Sequence, residues 1–533
     1  MAGLLSARKR SHPGRAWIAL FAFLATAAAA ESPRELRPAV VGPRALNQRL
    51  ERILGQSEAR RGFWGIEVID LASGKTLYSR DAGQLFIPAS NMKLFTTAAA
   101  LEKLGPDFAF RTTVESDAPP DAEGRVERLY LVGRGDPNLG PRRLPYVYES
   151  PQQLRQSGPE SRADKVFQEL ADQVKARGVR EVAGDLVADD SYYIWEPFSS
   201  NWAADDLQWG YGAPVTALAF NDNALALHVR PAAKPGSPAE VWLDPVPDYY
   251  RLNNRVETSA AGSAKRIYVE RLPGSRELDV WGQIPLDAGD DGDTVAINDP
   301  PQLIGEIFRR ALEARGIAVR GRVEVRHYSR LEAATMADPF PKLPPRPVLA
   351  EHASLPLRED IKTTDKESLN LHAEMLLRTM ARELQNYGSL TVGLEILKAF
   401  CAQIGIEPGE TFFSDGSGLS REDLVAPQAI VKLLVFMAHS PRFGVFWDCL
   451  PEAGVDGTLA ERFTGTPAKG RIHAKTGTVE HVNALSGYMD LPSGKRLVFS
   501  ILGNSYALKG KDGAAMVDHL ALAIYDWYAH RRR

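Results

Sequence analysis

Strand patterns stand at both ends of this chain, and their placement limits its fold more than any other feature. Trp64 to Asp70 (WGIEVID) reads as a strand, Ala72-Ser73-Gly74-Lys75 as a turn, and Thr76 to Ser79 as the returning strand of a hairpin. Far downstream, Ala484 to Leu491 and Arg496 to Asn504 flank Pro492-Ser493-Gly494-Lys495 as another hairpin, followed by a helix at about 514–530. A helical stretch rich in Leu and Ala starts near Ser90, after Pro88, and stops at Gly105. Between about 113 and 344 the texture changes to short alternating apolar runs broken by Gly, Pro and Asp, with a polar loop at 141–163 and a Pro/Gly-rich stretch at 231–237. Helices are expected there at 162–177 and 301–315, and 222–293 reads as almost entirely β. After the Pro-rich link Pro339 to Pro347 the chain turns helical again, with Leu369, Ala373, Leu376, Leu377 and Met380 spaced as one apolar face. One sheet assembled from both ends, with the middle inserted, accounts for this order. The expected class is α+β, with 31–112 and 345–533 as one domain, 113–221 and 294–344 as an inserted domain, and 222–293 nested within it.

Composition excludes several functions. The chain has 64 Lys plus Arg against 67 Asp plus Glu, a net charge of −3, so no basic field exists to hold nucleic acid. Two cysteines cannot build a disulfide framework or a four-cysteine zinc site, and the 10 histidines show no H-E-x-x-H spacing, so neither metal nor cofactor is expected. Gly74-Lys75-Thr76 ends like a phosphate loop, but Ile69 stands where its first glycine is required. The first thirty residues have the layout of a cleaved signal peptide: Arg8, Lys9, Arg10 and Arg15, then the apolar run Ala16 to Ala27, then Ala28-Ala29-Ala30. The run is shorter than the roughly 17–25 residues of a membrane span. The expected location is therefore the periplasm or another extracytoplasmic space. In that oxidising setting Cys401 and Cys449 are either paired or two buried thiols; the sequence leaves both readings open.

The chemistry lies in three short motifs. Ser90-Asn91-Met92-Lys93 places a serine and a lysine three residues apart, which on a helix sets their Cβ atoms about 5–6 Å apart on one face. A serine hydroxyl needs a base to become a nucleophile, and a lysine serves if burial or nearby cations lower its pKa. Alone the pattern is weak: Ser6-Ala7-Arg8-Lys9 matches it too, and an N-cap serine beside a solvated lysine looks the same. Ser368-Leu369-Asn370 is an S-x-N at a helix start, a pattern that Ser199-Ser200-Asn201 shows to be cheap. Lys475-Thr476-Gly477, followed by Thr478, is the only K-T-G in the chain and falls where a strand should run. Its glycine lets a substrate backbone approach, and its lysine and hydroxyls can bind a carboxylate. In this order the three are far more specific than any one alone.

The set resembles that of penicillin-binding proteins and serine β-lactamases, and the flanks resemble one branch, the D-alanyl-D-alanine carboxypeptidase/endopeptidase family of class C low-molecular-mass penicillin-binding proteins. Those flanks are Pro88-Ala89, Gly135-Asp136-Pro137-Asn138-Leu139, Asn221-Asp222-Asn223, Lys366-Glu367 with Ala373-Glu374, Asp415 through Arg421, Leu450 through Leu459, and His473-Ala474. The resemblance covers about 45 to 525. It implies a transpeptidase/β-lactamase-like domain, an antiparallel sheet flanked by helices plus a helical subdomain, carrying large mostly-β insertions. It implies Ser90 as the acylated nucleophile, Lys93 as its base, and Ser368 as the proton relay to the leaving amine. Asn370 would hold the substrate amide, and Lys475, Thr476, Gly477 and Thr478 would line the carboxylate end. The backbone N–H groups of Ser90 and Thr478 would form the oxyanion hole. Peptidoglycan stem peptides, β-lactam antibiotics as covalent inhibitors and other cell-wall enzymes are the implied partners. Asp365 departs from the pattern, which more often has Asn before the residue matching Lys366. The competing readings are a β-lactamase, against which the long segment 113–344 argues, and a non-catalytic wall-binding protein, against which intact Ser90 and Lys93 argue. Blander roles are expected for Glu374 (structural), Asp136 (a turn), and Trp209 and Tyr211 (packing under a loop).

Overall fold

The computed structural model describes residues 40–55, 57–150, 163–199, 201–336, 345–508 and 510–530. The expected signal peptide, most of the polar loop 141–163 and most of the Pro-rich link lie outside them. Every element below belongs to the unit Ala39–Arg533.

A six-stranded antiparallel sheet runs in the order Val40–Val41, Lys75–Arg80, Phe63–Asp70, Arg496–Asn504, Val482–Asp490, Ile472–Val479. The two ends of the chain meet at its centre, where Phe63 pairs with Asn504 and Asp70 with Leu497. Alternate side chains on a strand point to opposite faces, and both faces are covered. Ile66, Val68, Phe499 and Ile501 pack into a core with the terminal helices Arg44–Leu54 and Gly510–Ala529. Ile69, Val498 and Leu502 face a second core with Met92–Leu104, Asn370–Gln385, Leu390–Gln403 and Pro427–His439. These helices supply the helical subdomain. The fold is α+β, as expected.

Residues 111–353 build separate sheets. Five strands run Val323–Tyr328, Leu186–Ile194, Leu129–Val132, Arg111–Ser116, Val348–Ala353, and three more small sheets accompany them. Two of the small sheets, Glu240–Asp244 with Ala224–Arg230 and Asp291–Ala296, and Arg251–Ser259 with Glu277–Pro285 and Arg266–Glu270, make up the β-rich middle. The expected boundaries cut through elements: 112/113 falls inside Arg111–Ser116, its partner Val348–Ala353 lies beyond 344, and 293/294 falls inside Asp291–Ala296. Pairing between distant segments, which local pattern does not carry, decides these edges.

One helical expectation is revised. Leu369 caps the helix Asn370–Gln385 in an extended conformation instead of sharing its apolar face, while Ala373, Leu376, Leu377 and Met380 are wholly buried. A helix at Leu357–Glu367 precedes it, and Ser368 joins the two in a left-handed conformation with φ 64° and ψ 42°. Its sequence LREDIKTTDKE offers only Leu357 and Ile361 as an apolar face, and Asp360, Thr364, Asp365 and Lys366 are buried as well. Cys401 and Cys449 are both free and buried, so the thiol reading is the one the structure takes. Burial pushes the Cys401 thiol up to about 12.

Glu374 ties the long helix to the rest of the molecule. Its Oε2 accepts from Arg378 Nη1 at 2.9 Å and its Oε1 from the Gly416 N–H at 2.8 Å, while Arg378 Nη2 donates to the Glu196 carbonyl at 3.2 Å. Neither side chain has meaningful solvent exposure. Removing one partner of such a pair strands a buried charge, at a cost of about 3–5 kcal/mol. Glu374→Ala is therefore expected to lower unfolding stability by that amount in a denaturant titration; an unchanged midpoint contradicts a structural role for the pair.

Candidate active site

Ser90 lies in the short turn Ala89–Asn91 that opens the helix Met92–Leu104. One turn on, Lys93 is completely buried, and its Nζ reaches three oxygens from three parts of the chain. These are Ser90 Oγ at 3.0 Å, Asn370 Oδ1 at 2.6 Å and the Ser417 carbonyl at 2.7 Å. Burial lowers the Lys93 pKa to about 8, against the opposing pull of Asp415, Asp365, Glu374 and Asp423. The amine is thus partly neutral near physiological pH and already in contact with the hydroxyl it would deprotonate.

The strand Ile472–Val479 closes the other wall. Asn91 Nδ2 donates to the Lys475 carbonyl at 3.0 Å, tying this strand to the serine turn. Lys475 Nζ donates to Ser368 Oγ at 2.8 Å, so the second serine and the second lysine also meet. Burial first, and the Lys93 charge second, lower the Lys475 pKa. Gly477 is required here because a Cβ would come within 2.7 Å of the Pro88 carbonyl. Thr476 Oγ1 is 2.8 Å from Thr458 Oγ1, and the exposed Thr478 accepts from Asn483 Nδ2 at 2.9 Å. Ser90, Lys93, Ser368, Asn370 and the strand carrying Lys475, Thr476 and Gly477 are thus brought together, with Thr478 exposed at the end of that run.

Sequence reasoning missed the backbone contributors. Ser417 presents its carbonyl to Lys93 from a loop cradled by Asp415, whose carboxylate accepts from the N–H groups of Ser417, Gly418 and Ser420. Gly418 has φ +81°, and a Cβ there would lie 1.9 Å from the Ala89 carbonyl, so the loop can press against the serine turn only as glycine. The run Asp415-Gly416-Ser417-Gly418 was visible only as a flank. Tyr211 is not packed under a loop. Its carbonyl accepts from Asn370 Nδ2 at 2.9 Å and the residue is 47% exposed, the hydroxyl donating to Asp206 at 3.1 Å. Trp209, partly buried, bridges to Val295. Asp136 bridges to Leu218 and precedes the turn at Pro137-Asn138, accepting from the Asn138 N–H at 3.0 Å; it is buried, which raises its pKa to about 7. Asp365 lies beneath the lysines, accepting from Thr97 Oγ1 at 3.0 Å, with its carboxyl raised by burial. Among the described residues no group of three or more His, Cys, Asp or Glu could hold a metal ion.

Comparison with known proteins places this geometry in context. The family model for D-Ala-D-Ala carboxypeptidase 3 (S13) matches residues 46–524. A D-alanyl-D-alanine carboxypeptidase from an Actinomadura species is 36% identical over 497 residues, 91% of this chain and 85% of that protein. Penicillin binding protein 4 (dacB) from Haemophilus influenzae shares the fold, with TM-score 0.74 and 22% identity over 90% of this chain and 99% of that one. A second structure of the Haemophilus protein, complexed with a β-lactam, aligns with TM-score 0.69 and 22% identity over 91% of this chain and 100% of its own.

Asp365 is one of the charges that holds the Lys93 pKa up. Asp365→Asn is expected to move the Lys93 midpoint to lower pH by about one unit or less, read from the 13C chemical shift of its Cε across a pH titration. An unchanged or raised midpoint contradicts that electrostatic link.

Proposed function

Because the chain belongs to the D-Ala-D-Ala carboxypeptidase 3 (S13) family, a family of serine peptidases, we propose that it is an exported DD-peptidase of peptidoglycan. It removes the terminal D-alanine of stem peptides and cleaves D-Ala-diaminoacyl crosslinks through an acyl-enzyme on Ser90. The observation that carries this reading is the buried Lys93 amine within 3.0 Å of Ser90 Oγ.

The contacts support the following steps. Neutral Lys93 takes the Ser90 proton as Oγ attacks the carbonyl of the penultimate D-alanine. The N–H groups of Ser90 and Thr478 hold the resulting oxyanion. The C–N bond breaks, and the leaving nitrogen receives a proton through Ser368, whose hydroxyl is bonded to Lys475. Asn370 has one amide atom on Lys93 and the other on the Tyr211 carbonyl, so it is fixed where it can hold the substrate amide. Lys475, Thr476 and Thr478 receive the terminal carboxylate. Water then hydrolyses the ester, with Lys93 as base. β-Lactams, whose amide carbonyl presents the same target, acylate the same serine. Residues 111–353 are an insertion in the catalytic domain, with the β-rich stretch 224–296 nested inside it, and the first thirty residues direct export.

Two outcomes are expected with a pentapeptide substrate. Ser90→Ala should lose at least about 10³-fold in D-alanine release; retention of activity assigns the chemistry elsewhere. Because only the deprotonated lysine can act as base, the acylation rate of the wild type should rise with pH through about 8 and level off above it. A rate that falls through that range contradicts Lys93 as the base.

A further inference from the structure

Removal of a single D-alanine leaves unexplained a cavity of about 830 Å3 beside the carboxylate end of the cleft. One wall is the loop from Pro137 to Glu149; the facing wall is Lys366, Glu367, Gly457 and Thr458. Two links join it to the candidate site: Thr458 Oγ1 is 2.8 Å from Thr476 Oγ1, and Glu367 immediately precedes Ser368. Across the cavity itself, Tyr146 is hydrogen-bonded to the Gly457 backbone. The cavity therefore begins where the reading above places the leaving group's carboxylate.

Its size and chemistry restrict the occupant. Cavities of about 300–1,000 Å3 accept ligands of drug size, far larger than one alanine. The cations along it are already matched: Arg142 lies between Asp222 and Glu367, Arg143 meets Glu149, and Lys366 Nζ is 2.6 Å from Asp456. A polyanion would find no unmatched positive charge among these groups. The rest of the lining combines apolar and phenolic groups, notably Pro141, Tyr146, Val147 and Tyr148, with the amides of Asn138 and Asn221 and the carboxylate of Asp244. That lining suits a peptide carrying methyl and methylene groups between amides.

We propose that this cavity receives the second stem peptide of a crosslinked substrate, the part that departs on its side-chain amine, and that it is the subsite for crosslink cleavage. The inference rests on the DD-peptidase reading. In the step it serves, the Ser90 Oγ–carbonyl bond forms and the bond from that carbonyl to the diaminoacyl nitrogen breaks. The serine proton passes to Lys93, and the leaving nitrogen is protonated through Ser368. The carboxylate next to that nitrogen lies at Thr476, and the rest of the departing peptide runs past Thr458 into the cavity. Water then releases the shortened donor from Ser90.

Tyr148→Ala removes cavity lining, and Val147→Trp obstructs the rim from a position that is 68% exposed. For a sugar-free crosslinked peptide dimer, both variants should lower kcat/KM by about tenfold, equivalent to about 1.4 kcal/mol. D-Alanine release from pentapeptide and the rate of acylation by benzylpenicillin should stay within about twofold, which also reports that the variants are folded. Tyr148→Phe should restore most of the loss. Equal losses on dimer and pentapeptide, or no loss on the dimer, overturn the proposal. A loss confined to a disaccharide-bearing dimer assigns the cavity to glycan and overturns it as well. Wild-type protein that releases D-alanine but leaves the dimer intact refutes the subsite alone; protein that does neither and resists benzylpenicillin refutes the DD-peptidase reading itself.

Discussion

The Lys93 amine lies out of contact with solvent, held by a side-chain hydroxyl, a side-chain amide and a main-chain carbonyl from three distant parts of the chain. A buried ammonium is costly, and three oxygen acceptors within 3.0 Å with several carboxylates nearby offset only part of that cost. The result is an amine poised between its two protonation states, as a general base requires. Much of the remaining architecture brings those three acceptors to one point.

The serine turn is pinned from two sides: Asn91 bonds to the Lys475 carbonyl, and Gly418 lets the Asp415 loop press against Ala89. That loop is held by the Glu374–Arg378 pair, and Arg378 in turn reaches Glu196 in the 111–353 region. Asn370 is oriented by Lys93 on one side and by Tyr211, from the same region, on the other. Residues 111–353 thus supply the Tyr211 and Glu196 carbonyls to this network, which the terminal segments alone do not complete.

The candidate site residues were legible as a set, because S-x-x-K, S-x-N and K-T-G stand in that order along the chain although each motif alone is weak. The two-ended sheet was legible too, since Phe63–Asp70 and Arg496–Asn504 are apolar runs bounded by turns. The carbonyls of Ser417 and Tyr211 were not legible, because a main-chain oxygen carries no signature of its residue. The helix Leu357–Glu367 was hidden by its polarity. It buries threonines and charges against Thr97, His372 and Asp456 where an apolar stripe would be looked for. Its successor was read one residue early, since Leu369 fits the periodicity but caps the helix. Where the inserted sheets begin and end depends on pairing across more than two hundred residues, as between Arg111–Ser116 and Val348–Ala353.

The most direct test of Ser90 as the group served by the buried amine is to locate the covalent adduct. Protein incubated with benzylpenicillin, digested and mapped by mass spectrometry should carry one penicilloyl group, on Ser90. An adduct on Ser368, on Ser417 or on any other hydroxyl, or no adduct at all, would contradict the account.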